Sequence, residues 1–144
     1  MKAGFVQFTP ELMNLDVTLN RLAKLLKDAP PADLLVLPEL SNSGYNFPTR
    51  NDAFDAAEEV HNSRFITLLH DHCRRTNSYV ASGFNEREGF KLFNSAVLVG
   101  PGGLIGKYRK IHLFYNEKDI FSAGDVGVPV FETPIGKIAM LVCF

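Results

Sequence analysis

Three residues of this chain could together carry nucleophilic chemistry: Glu39, Lys110 and Cys143. Glu39 directly follows Leu34-Leu35-Val36-Leu37-Pro38, the most buried-looking strand sequence. Lys110 ends the strand-like Leu104–Lys110, and Cys143 ends the apolar Ile138–Val142. A carboxylate beside a buried strand must be paired, hydrogen-bonded or shifted in pKa. A lysine carried inward by the mostly apolar Ile111-His112-Leu113-Phe114-Tyr115 needs a partner or a job. Taken alone, Glu39 also fits a surface glutamate at a strand end, and Cys143 a packed core cysteine. Taken together, all three stand at the carboxyl ends of predicted strands, which in layered α/β proteins open onto the ligand crevice. A thiol, a carboxylate and an ammonium meeting there would supply a nucleophile, a base and an electrostatic stabiliser.

The elements that must position them follow from periodicity. Lys2–Phe8 reads as a strand stopped by Thr9-Pro10. Leu15, Leu19, Leu22 and Leu26 predict an amphipathic helix closed by Pro30-Pro31. Leu34–Leu37 predicts a strand buried on both faces, and Ser41–Arg50 a loop. A short helix is expected over Asp52–Val60 and a firmer one over Arg64–Thr76, with Phe65, Leu68, Leu69, His72 and Cys73 on one face. Strands follow at Ser78–Phe84, Phe90–Val99 and Leu104–Lys110, the last two joined by the Pro101-Gly102-Gly103 turn. A polar loop leads to a second hairpin, Val128–Thr133 and Lys137–Cys143, through Pro134-Ile135-Gly136. This order predicts an α/β layered fold with a mixed sheet.

Other motifs reduce to structure. Gly100–Lys107 superficially matches a phosphate loop, but Pro101 replaces the required glycine and Tyr108 the magnesium-binding hydroxyl; a tight turn between strands fits better than a nucleotide-binding module. His70 and His72 point to different helix faces, and no His/Cys/Asp cluster has metal-ligand spacing. Cys73 falls on an apolar helix face as a core residue. Lys107 and Arg109 read as the solvated side of an edge strand.

The chain has 144 residues, 46% hydrophobic and 22% charged, enough for one domain with a core and unlike a disordered chain. Fifteen Lys and Arg against sixteen Asp and Glu argue against a nucleic-acid surface. No apolar run is long enough to span a bilayer, and the amino terminus does not read as a signal peptide. Two cysteines without an export signal point to a reducing cytoplasm. Seven apolar residues, Ile138–Phe144, run into the carboxyl terminus, a strand that should be covered on both faces and paired on both edges. The expectation is the first part of a longer protein; a complete domain with a central last strand, or an interaction half completed by a partner, are the alternatives.

The same residues resemble the nitrilase, or carbon-nitrogen hydrolase, superfamily. The resemblance rests on Leu37-Pro38-Glu39-Leu40 with Gly44-Tyr45, on Gly106–Leu113, on Glu117 and Gly124-Asp125, and on Gly136-Lys137-Ile138 leading into Val142-Cys143-Phe144. It implies an αββα sandwich that commonly dimerises, here limited to its first half, and a carbon-nitrogen hydrolase domain over residues 1–144 that lacks its carboxyl-terminal part. It implies Glu39 as general base and acid, Lys110 as stabiliser of the tetrahedral intermediate, Cys143 as nucleophile and Glu117 as the glutamate orienting the lysine and substrate. Tyr45 would belong to the pocket wall, and the Phe144 N–H to the oxyanion site. The implied substrates are small amides, N-carbamoyl compounds or nitriles, hydrolysed with no metal or organic cofactor, by a homo-oligomer.

Overall fold

Helix α1, Leu15–Asp28, starts where the Asn14 side chain accepts a hydrogen bond from the Val17 N–H at 3.1 Å. Its stripe buries Leu22 and Leu26 completely or nearly so. The chain then enters strand β2, Leu34–Val36, which pairs in parallel with β1, Ala3–Phe5. Helix α2 covers Arg50–Asp55, and a 3-10 turn covers Val60–Asn62. Helix α3 spans Arg64–Thr76, as its periodicity predicts. Ser63 caps it, and Asn77, at φ 52°, ends it in the left-handed conformation. Strands β3 (Tyr79–Glu88), β4 (Lys91–Gly100) and β5 (Gly103–Arg109) follow, then the short helix α4 (Glu117–Ile120) and the hairpin β6 (Val130–Thr133) and β7 (Gly136–Ala139). The computed structural model describes residues 1–143, so Phe144 lies outside the described residues.

Five strands form one mixed sheet in the order β1-β2-β3-β4-β5, parallel from β1 to β3 and antiparallel from β3 to β5. Helices α1 and α3 cover one face. Their Leu22, Leu26, Phe65, Leu69 and Cys73 pack with Leu35, Val80, Phe84, Val97 and Val99. The alternate residues Ala81, Ala96, Leu98 and Tyr108 project from the other face. There Phe131 and Ile138 of the second sheet pack against them, together with Met140 and Val142. Helices, large sheet and small sheet thus follow the α, β, β order of the expected sandwich. The Gly100–Lys107 stretch is the β4–β5 hairpin, turning at Gly103 with φ +110°.

Several expectations are corrected. The break between the predicted strands at Phe84 and Phe90 is absent. Strand β3 runs on through Asn85-Glu86-Arg87-Glu88 and turns over Gly89-Phe90, because Glu86 is buried and paired with Arg109. Lys107 and Arg109 are not a solvated side. Lys107 contacts Glu86, and the buried Arg109 donates to Glu86, Glu88 and Asp125 while lying 3.7 Å from the Phe93 ring centroid. Strand β2 is not covered on both faces, since Val36 is 43% exposed. The helix expected over Asp52–Val60 is α2, which ends at Asp55, followed by a separate 3-10 turn that begins at Val60. The strand expected over Lys137–Cys143 leaves the ladder at Ala139, and among the described residues β7 pairs with β6 alone. Met140 and Val142 still alternate inward, whereas Leu141 is 70% exposed.

Candidate active site

Glu39 is held by its backbone. The Gly83 N–H donates to the Pro38 carbonyl at 3.0 Å, and the Ser41 N–H donates to the Gly83 carbonyl at 3.2 Å. A β-carbon at position 83 would overlap the Glu39 Cα, so only glycine lets β3 pass this close. Leu40 follows at φ 48° with its side chain fully buried, which turns the chain sharply just after the glutamate.

Lys110 is the first residue beyond β5. Its N–H donates to the Asn94 carbonyl at 2.8 Å, and its carbonyl accepts from the Gly124 N–H at 2.9 Å. Period-two alternation sends its side chain to the face opposite Arg109. Adjacent basic residues therefore enter different acidic clusters. The Lys110 ammonium, wholly buried, lies 3.1 Å from Glu39 Oε1 and 3.0 Å from Glu117 Oε1. Burial works against its charge, but the bonds to the two carboxylates outweigh it and hold its pKa above the ordinary lysine value.

Glu117 opens α4. Its Oε1 accepts from Tyr45 Oη at 2.9 Å, Asn94 Nδ2 at 2.9 Å and Lys110 Nζ, while Oε2 accepts from the Phe114 N–H at 2.6 Å. Burial raises its pKa, yet the bonds from the Phe114 N–H, Lys110 and Tyr45 prevail and hold the carboxyl below the usual range. Glu39 is less enclosed. Its side chain is 26% exposed, and its Oε1 accepts from Lys110 and, at 2.7 Å, from Asn94 Nδ2. Among the described residues, nothing in the protein donates to its Oε2.

Cys143 is solvent-exposed, with φ 52° in the left-handed region. It shares with Glu39 the lining of a cavity of about 290 Å³, together with Ser82, Gly83, Ala96 and Val142. Glu39, Lys110 and Glu117 are thus one bonded cluster, and Glu39 also faces the hollow that holds Cys143. Tyr45, expected at the pocket wall, instead reaches Glu117 through its hydroxyl and is not among the residues lining that cavity. Burial and the neighbouring Glu117 push its pKa up to about 12, which keeps it a donor at neutral pH. Phe144 lies outside the described residues. Asn94 escaped sequence reasoning; an amide inside Leu92-Phe93-Asn94-Ser95-Ala96, a run otherwise fit for burial, was the available signal. Among the described residues no group of three or more His, Cys, Asp and Glu is arranged to hold a metal ion.

The sequence profile of the carbon-nitrogen hydrolase family matches residues 2–144. The chain belongs to the carbon-nitrogen hydrolase family. It is 44% identical over its whole length to the nitrilase of Pyrococcus abyssi, of which it covers 56%. It is 33% identical over 99% of its length to the omega-amidase NIT2-A of Xenopus laevis, covering 54% of that protein. The solved structure of a carbon-nitrogen hydrolase from Helicobacter pylori G27 superposes with a TM-score of 0.83 at 27% identity, over 99% of this chain and 52% of the other. The chain therefore spans about half the length of the curated carbon-nitrogen hydrolases it matches. Its mixed sheet and helix layer are those of the nitrilase-type fold.

Proposed function

We propose that this carbon-nitrogen hydrolase releases ammonia or amine from a small amide or N-carbamoyl compound through a cysteine thioester. The observation that carries this reading is that Glu39 belongs both to the Lys110–Glu117 cluster and to the Cys143 cavity. Glu39 takes the Cys143 thiol proton as the sulfur attacks the carbonyl carbon, and the carbonyl electron pair moves to oxygen. Lys110 supplies positive charge toward the developing oxyanion, aided by the Phe144 N–H; one such donor is worth about 3–4 kcal/mol. As the tetrahedral intermediate collapses, the C–N bond breaks and Glu39 passes its proton to the departing nitrogen. Water, deprotonated by Glu39, then cleaves the thioester and restores the thiol. Glu117 orients Lys110. The chemistry balances with substrate and water alone.

An ammonia-release assay of the full-length protein against amides, carbamoyl compounds and nitriles tests this reading. We expect turnover with amides or carbamoyl compounds, lost at least about 10³-fold in Cys143→Ala. Full ammonia release by Cys143→Ala overturns the mechanism, and turnover of nitriles alone overturns the substrate class. The 144-residue chain by itself, half the length of its relatives, is expected to be inactive or nearly so. The enzyme is taken to be a cytoplasmic homo-oligomer that acts on small molecules without nucleic acid or membrane.

A further inference from the structure

Asn94 projects from β4 on the same face as Ala96 and Leu98 and is completely buried. Its Nδ2 lies 2.7 Å from Glu39 Oε1 and 2.9 Å from Glu117 Oε1, so the two amide hydrogens divide between two carboxylates. Its own carbonyl oxygen receives the Lys110 N–H. One residue therefore anchors the lysine's main chain and both of the lysine's carboxylate partners. Among the described residues, nothing donates to the side-chain Oδ1. The reverse orientation would be worse, since it would aim that oxygen at two carboxylates. The amide is held the way its donors require.

We propose that Asn94 is a positioning residue whose amide ties Glu39 to Glu117, committing Glu39 Oε1 to the cluster and leaving Oε2 as the oxygen available to the Cys143 cavity. The inference rests on the hydrolase reading in which Glu39 exchanges protons with the cysteine and the leaving nitrogen. The physical need is specific. Glu39 from the loop after β2 and Glu117 from α4 share one ammonium, Lys110, from the end of β5. Among the described residues, the only other charged or titratable group bonded to them is the Tyr45 hydroxyl. Two carboxylates around one cation repel each other, and a donor to each favours their charged forms. A primary amide supplies two neutral donors from one atom. Aspartate at the same position would add a third negative charge, and serine can serve only one of the two oxygens.

The test compares Asn94→Ala and Asn94→Ser with wild type in the full-length protein. The readouts are the pH dependence of kcat/KM and the carboxyl ¹³C titration of labelled glutamate. Without the bridge, the acid limb of kcat/KM should move to higher pH, because the carboxylates hold protons more readily. For Asn94→Ala, kcat should fall about 10²-fold with KM little changed, the scale of a misplaced reacting group. Asn94→Ser should fall between. Asn85→Ala is the control. Asn85 pairs with Asn94 across the sheet and is equally buried, but it bonds to Asn42 and Ala53 and not to the cluster. It should lower thermal stability while leaving the acid limb in place. An Asn94→Ala or Asn94→Ser protein with the wild-type acid limb and unchanged carboxyl titration overturns the proposal. So does an equal shift in Asn85→Ala. Should the Glu39→Gln protein keep wild-type turnover, the hydrolase reading itself fails. If turnover requires Glu39 and Cys143 but ignores Asn94, the positioning role alone fails.

Discussion

Glu39 and Glu117 carry the same functional group and differ in how many of their acceptor sites are taken. Among the described residues, Glu117 receives four protein donors on its two oxygens, whereas Glu39 receives two, both on Oε1. A carboxylate so fully occupied holds its neighbours; one with an oxygen to spare can exchange a proton. Replacement of Glu117 by glutamine keeps the shape but turns an amide N–H₂ toward one of these donors and removes half of the charge opposite Lys110. Breaking a buried pair in this way costs about 3–5 kcal/mol. Urea unfolding of Glu117→Gln should show that loss as a lowered midpoint with an unchanged slope. A loss below about 1 kcal/mol would mean that Glu117 does not hold the cluster.

At the scale of elements, the site depends on two close approaches. Strand β3 passes the Pro38-Glu39-Leu40 corner at Gly83, and the Gly124 loop lies on the carbonyl of Arg109. In both places the β-carbon of any other residue would meet backbone, which cannot turn aside as a side chain does. Gly83→Ala should therefore displace the Glu39 corner. Overpacking of this kind costs about 1–3 kcal/mol, and the accompanying shift of the carboxylate should lower kcat more than the stability loss explains. Thermal melts and steady-state kinetics of the same variant check both. Wild-type melting and turnover would mean that the corner yields freely. Helix α3 and the β4–β5 turn were legible because their signals are local: apolar residues at helical spacing and a Pro-Gly-Gly turn. The extension of β3 was not legible. Asn85-Glu86-Arg87-Glu88 is polar in sequence, and only partners from other strands, Arg109 and Lys107 on β5 and Ser95 on β4, make Glu86 fit for burial.

For the whole molecule, acidic groups held below their ordinary pKa set the response to pH. Burial raises the pKa of Glu86, but the bonds from Arg109, Lys107 and Ser95 prevail and lower it; Glu117 is lowered in the same manner. Glu88 and Asp125 are lowered chiefly by Arg109, and their exposure leaves them screened by salt. A depressed folded-state pKa contributes stability that is complete above the unfolded value, about 4.3 for glutamate, and is lost as pH falls through the folded value. Melting temperature should fall steeply below about pH 5, where these carboxylates take up protons. Glu86→Gln should melt lower at neutral pH, because Arg109 loses its buried partner, and should show a shallower acid decline. A decline as steep as wild type would place the acid response elsewhere.

The alternation of apolar residues, the caps and the turn residues determined the helices, most strands and the layered α/β class, because these depend on neighbours in the chain. The sequence also placed Glu39 and Lys110 at strand ends, where strand topology could bring them together. Only the tertiary structure decided that Arg109 and Lys110 serve opposite faces, that the Tyr45 hydroxyl reaches Glu117, and that Asn94 lies between two carboxylates. Those choices depend on which distant groups leave a buried charge or amide without water. A polar side chain's partners are set by the strands and loops folded against it, and the residues beside it in sequence do not record them.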